Sequence, residues 1–153
     1  MEDAHIARNE AARALLCALA ARLSASDLEQ PLGHGWTVAA ALAHLAFWDR
    51  RVLALLEEVE QGAHPAAVGF DAADFDAVND AELEKWVAMP PQEAVREALA
   101  AAEAVDRKIA DFSPGLVATI LTTGRPRLID RSIHRQEHFA EIEQAIGRLE
   151  VDR

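Results

Sequence analysis

Alanine fills 33 of the 153 positions, about one in five. It is the best helix former and a poor strand former. Tyrosine is absent, and only seven glycines and six prolines interrupt the chain. This excess points to an all-α protein whose helices, lined with small side chains, approach one another closely.

The apolar residues say how many helices to expect. One helix is predicted over Asp3 to Leu23, with Ile6, Leu15, Leu19 and Leu23 near one face. Pro31, Gly33 and Gly35 then break the chain, after a short turn that Ser26 and Glu29 could cap. A second helix runs from Thr37 to Gln61. Its stripe of Val38, Leu42, Leu45, Val52, Leu56 and Val59 keeps to three- and four-residue steps. Residues 62–78 carry no stripe and read as a crossover loop. A third helical region covers Asp80 to Asp111, with Asn79 and Glu82 as an N-terminal capping pair. Pro90-Pro91 interrupts it, and Pro91 suits the first turn of the longer stretch. Residues 112–126 read as a connection. The fourth helix spans Leu128 to Leu149, with Ile129, Ile133, Phe139, Ile142, Ile146 and Leu149 as its apolar positions. Four apolar stripes are buried most economically in a four-helix bundle. No repeat or boundary divides the chain, so residues 1–153 read as one domain.

Charge narrows the partners. Asp and Glu number 26 against 15 Lys and Arg, a formal net charge of −11. Such a chain is repelled by nucleic-acid phosphates and by anionic membrane surfaces. No run of eighteen apolar residues is present. The first ten residues mix both charge signs without an apolar stretch, unlike a signal peptide. One cysteine, Cys17, cannot form an internal disulfide, which suits a reducing compartment. The expectation is a cytoplasmic protein with a small-molecule substrate, no nucleic acid and no membrane. A homodimer stays open, because Phe70 and Phe75 could cover either the site or a second copy.

Two histidines stand out. His134 and His138 are four apart on a predicted helix, so both imidazoles lie on one face. That stripe also carries Ile142, Ala145 and Leu149, which puts the pair at the border of the buried face. His44 lies at the edge of the stripe of the second helix, near Ala41, Trp48 and Leu55. Three imidazoles on two helices fit a metal site of a kind that bundles build, the other reading being two partly exposed histidines and a packing histidine at position 44. The stretch His134 to His138 also matches the inverted zinc-protease pattern H-x-x-E-H. That chemistry needs a larger α/β domain, and Glu137 points away from the line between the two histidines.

The stretch GHGWTVAAALAHLAFWDRRV resembles the start of the second helix of the DinB/YfiT-like superfamily. HRQEHFAEIEQAI resembles its final-helix H-x-x-x-H-x-x-x-I signature. The same G-W-T-V…H-L-A pattern is found in the N-terminal domain of mycothiol-dependent maleylpyruvate isomerases. The resemblance implies a four-helix bundle with a divalent metal, zinc or nickel, whose ligands match His44, His134 and His138. The isomerase branch often has a carboxylate at one ligand position. Histidine at all three places this chain nearer the DinB side.

Other polar residues flank these positions. Asp49 falls near the middle of an apolar stripe and needs a partner, either a ligand histidine or an arginine such as Arg13 or Arg22. Arg125, Arg127, Arg131 and Arg135 gather where the last helix begins, against the helix dipole. Arg131 could receive a substrate carboxylate, or pair with the abundant acids. Glu137 and Glu141 are candidates for a general base or for support of the ligands. Trp36 and Trp48 read as core or pocket wall, Asn79 as an N-cap or, as the resemblance allows, a polar residue facing the site, and Cys17 as a small buried hydrophobe. The expected function is that of a metal-dependent enzyme, activating a low-molecular-weight thiol or water against a small electrophile. The competing expectation is a non-enzymatic stress-response bundle that binds a metal or ligand.

Overall fold

The structure is a computed structural model that describes residues 4–65 and 72–151. Four long helices form the bundle: α1 (Ala4–Arg22), α3 (Val38–Glu60), α5 (Pro91–Asp111) and α7 (Ser132–Val151). They close a ring in which α1 touches α5 and α7, and α3 touches the same two. Shorter elements fill the connections. These are α2 (Ala25–Leu28), a hairpin of β1 (Pro31–Gly33) and β2 (Trp36–Thr37), α4 (Ala72–Ala88), α6 (Pro114–Thr122) and a 3₁₀ turn over Pro126–Leu128. The all-α four-helix bundle expected from the alanine content and the apolar stripes is the fold.

The local signals act largely as expected. Thr37 caps α3, its Oγ1 accepting from the Ala40 amide at 3.0 Å. Every apolar position of the expected α3 stripe is buried. Pro91 opens α5.

Several boundaries differ, each for a physical reason. The segment read as loop over 62–78 contains the start of α4, which runs through Asn79. The inward stripe of α4 is Asn79, Leu83 and Trp86, with the exposed Phe75 one turn before it, and the asparagine breaks the apolar period. Asn79 is therefore not a cap; its Oδ1 accepts from Trp48 Nε1 at 2.8 Å. The capping box belongs to Ser24 and Asp27 and starts α2 two residues earlier than expected. Residues 114–122 form α6 rather than irregular chain, capped by Ser113 and turned inward through Val117 and Ile120. It is too short to show a stripe. The last long helix starts at Ser132, not Leu128. Asp130 accepts from the Ser132 amide and hydroxyl there. On α1 the buried face is His5, Asn9, Ala12, Leu16 and Leu19. Leu15 and Cys17 are exposed, against expectation. In so alanine-rich a helix the large residues alone do not mark the inner face.

The β hairpin was not expected. It pairs Pro31 with Thr37 and Gly33 with Trp36. Its turn holds Gly33, His34 and Gly35 at φ of 99°, 56° and 84°, a left-handed run that favours glycine. The tight reversal delivers Trp36 to the bundle.

The core is two apolar clusters with a polar layer between them. One cluster joins Leu16, Leu42, Leu45, Ala98, Ala102 and Ile142. The other joins Val52, Leu56, Val105, Ile109, Ile120 and Ile129. Asp49, Asp106, Arg131 and Arg135 separate them, all buried.

Candidate metal centre

Helix α3 supplies His44, and α7 supplies His134 and His138 one turn apart. The three rings form a nearly equilateral triangle, with centroids 4.8, 4.6 and 4.9 Å apart. Each is close to perpendicular to the other two, at 69°, 72° and 82°. One candidate ligand atom from each lies within 4.8 Å of the others. His44 Nε2 and His134 Nε2 are 2.9 Å apart. Two nitrogens sharing a tetrahedral zinc at about 2.1 Å lie roughly 3.4 Å apart, so a small separation of this pair admits an ion.

The rings are held neutral. Burial pushes His44 down to about 3, helped by the neighbouring His138 and Arg131, with Asn79 pulling the other way. Burial also holds His134 well below its ordinary value, with Arg131 adding to the effect. His138 is lowered by burial and raised in part by Glu141 and Glu137. Nδ1 of His44 and Nδ1 of His138 are buried without a hydrogen-bond partner among the described residues. Neutral imidazoles with orphaned ring nitrogens are a donor set that fits a divalent metal. Glu141 lies 3.6 Å from His138 Nδ1, in reach to orient that ring.

Aromatic side chains wall the site. Trp36 and Trp86 each meet His44 edge-on at 5.0 Å. Trp36 lies parallel to His138 at 6.5 Å. A cavity of about 700 Å³ opens beside the histidines, with Trp48, Val52, Leu55, Phe75 and Leu128 among its lining. Phe75 packs edge-on to Trp48 at 5.0 Å. Phe70, named with it from the sequence, lies outside the described residues. Glu137 lines the cavity and accepts from Arg127 at 2.8 Å.

The polar layer reaches the site through Arg131. Its Nε donates to Asp49 at 2.9 Å and its Nη1 to the Arg127 carbonyl at 2.9 Å. Its Nη2 lies 3.4 Å from His134 Nδ1. The partners of Asp49 are thus Arg131 and Arg135, whereas Arg13 pairs with Asp106 and Arg22 with Glu143. All three ends of the Arg131 guanidinium are engaged inside the protein, so it does not present the free fork expected for a substrate carboxylate. A guanidinium only donates. His134 Nδ1 can accept from it only in the tautomer that carries its proton on Nε2, facing His44. Ligation through His134 Nε2 requires that proton to move to Nδ1 and gives up the long Arg131 contact.

Arg135 is the residue that sequence reasoning left without a role. It is 0% exposed and donates to Asp106 at 2.8 and 2.9 Å, and to Asp49 at 3.3 Å. Burial opposes its charge, but the bonds it donates to Asp106 and Asp49 and their negative charges outweigh that and keep it protonated. Asp106 shares a face of α5 with Ala98, Ala102, Val105 and Ile109. A carboxylate within that run was the available signal.

The profile of the mycothiol maleylpyruvate isomerase N-terminal domain matches residues 9–137. The chain belongs to this family. It is therefore DinB/YfiT-like, as the two motif stretches suggested. The match falls on the isomerase branch, although three histidines pointed to the other side. It takes in His44 and His134 and stops one residue short of His138. Among curated proteins and among solved structures, none matches. This member of the isomerase N-terminal domain family carries a three-histidine group that could hold a metal ion. Among the described residues, no helix is long and apolar enough to cross a membrane.

Proposed function

We propose that the protein is a metal-dependent enzyme, with His44, His134 and His138 holding a divalent zinc or nickel ion. The observation that carries this reading is the convergence of three neutral, mutually near-perpendicular imidazoles, His44 buried and His134 and His138 partly buried, beside a cavity of substrate size. Three histidines leave a fourth position open, the pattern of a catalytic and not a structural site. When bound, the ion would make a low-molecular-weight thiol or a water nucleophilic near neutral pH, for transfer to a small electrophile or for its hydrolysis.

The protein's own groups then have distinct tasks. Trp36 and Trp86 exclude water from the histidine edges. Glu141 orients His138. Glu137 borders the cavity and is the candidate base for the nucleophile's proton, once released from Arg127. Arg131, anchored by Asp49, holds His134 in the metal-free protein.

The test is metal content after purification without a histidine tag. Wild type should carry about one equivalent of zinc or nickel by mass spectrometry, and His44→Ala, His134→Ala and His138→Ala should each lose it. A wild type free of metal, or full retention in His134→Ala, would overturn the reading.

A further inference from the structure

The cavity beside the histidines reverses the charge of the chain. Among its described lining residues are four arginines, Arg51, Arg125, Arg127 and Arg131, and two carboxylates, Asp76 and Glu137. The protein as a whole carries −11. Two of these arginines are committed elsewhere: Arg131 to Asp49 at 2.9 Å, and Arg127 to Glu137 at 2.8 Å. Arg125 differs. It is half-buried, and its Nη1 is buried with no hydrogen-bond partner among the described residues. A buried guanidinium donor without an acceptor is unfavourable by itself, because it has lost water and gained nothing. The backbone fixes where Arg125 leaves the chain. Gly124, at φ 73°, turns the chain, and Pro126 starts the 3₁₀ turn that the Leu128 amide closes onto the Arg125 carbonyl at 3.2 Å.

Apart from Asn79 and the three histidines, the rest of the lining is mostly apolar and aromatic, with Trp48, Val52, Leu55, Phe75 and Leu128. We propose that this cavity binds a small amphipathic monocarboxylate. Its carboxylate meets Arg125, its apolar body lies against Trp48 and Phe75, and its reactive end is turned to the three histidines. One guanidinium with an unmatched donor suits a single negative charge and a planar, two-oxygen acceptor. A phosphate, with close to two charges at neutral pH, would call for a second cation with its donors unspent. This assignment names the substrate class of the site proposed above and rests on that reading for which end reacts. The carboxylate subsite itself needs no metal.

The test uses chelator-treated protein, so that no bound ion can hold the carboxylate. 4-Phenylbutyrate and its neutral amide, 4-phenylbutyramide, are titrated by calorimetry and by the fluorescence of the cavity tryptophans. The acid should bind at least about tenfold more tightly than the amide. Arg125→Gln should abolish that preference, Arg125→Lys should restore part of it, and Arg50→Gln, outside the cavity, should leave it in place. His134→Ala, which loses metal as purified, should keep the preference after chelation, which separates the two readings. Equal binding of acid and amide to wild type, binding of neither, or an Arg50→Gln effect as large as that of Arg125→Gln would overturn the proposal.

Discussion

Asp49 shows how much a single residue can decide. Its carboxylate is 2% exposed and accepts from two buried guanidinium groups, on Arg131 and Arg135. Burying charge is unfavourable unless each group is paired, and removing one partner strands the others. Asp49→Ala should therefore destabilise the protein by about 3–5 kcal/mol in urea denaturation. A loss below about 1 kcal/mol would mean that Asp106 alone satisfies both arginines. The same carboxylate anchors Arg131, which in turn touches His134. This residue thus serves stability and the site at once. The sequence placed Asp49 on a buried stripe and required a partner for it. Which arginine answered could not be read, because Arg131 and Arg135 are more than 80 residues away in the chain.

At the scale of the element, α3 carries most of the design. It holds His44 and Asp49 on one buried face, between the halves of the core. Its start is set by Thr37, directly after the hairpin that delivers Trp36. Thr37→Ala should cost about 1 kcal/mol of stability, and Thr37→Ser should recover most of it. Equal stability of the alanine variant and wild type, by thermal unfolding, would exclude the cap as the determinant. Helix α4 shows the limits of pattern reading. Its stripe contains Asn79, which is polar but inward because Trp48 offers an indole N–H. Periodicity counts apolar residues, so a satisfied polar residue in a stripe looks like a break. The hairpin escaped for another reason. Two very short strands leave no alternation, and only the glycine spacing marks the turn.

For the whole molecule, the three site histidines set a pH dependence. The ordinary histidine value is 6.5, and His44 is held down to about 3, with His134 and His138 also lowered. Above pH 6.5 neither the folded nor the unfolded chain binds these protons. Below it the unfolded chain takes them up and the folded chain does not. Stability of metal-free protein should therefore fall as pH drops from about 6.5 toward 3, by at most about 1.4 kcal/mol per pH unit for each histidine. Thermal unfolding of chelated protein between pH 7.5 and pH 5 should show a falling midpoint, with a shallower slope in His44→Gln. Identical slopes in the two proteins would show that His44 is not the group responsible.

Much of the bundle was legible from composition and spacing. Alanine content, four apolar stripes and the Pro90-Pro91 break report on local energetics, which act within a few turns of chain. His134 and His138 shared a face for the same reason, since four residues make about one helical turn. The meeting of His44 with that pair is a different kind of fact. It depends on how α3 and α7 cross, and so on the packing of all four helices. The buried Asp–Arg layer, the engagement of Arg131 and the unpartnered nitrogen of Arg125 likewise depend on contacts between distant segments. Side-chain chemistry and helical period are written residue by residue, whereas the choice of partner across a core is made only when the helices pack.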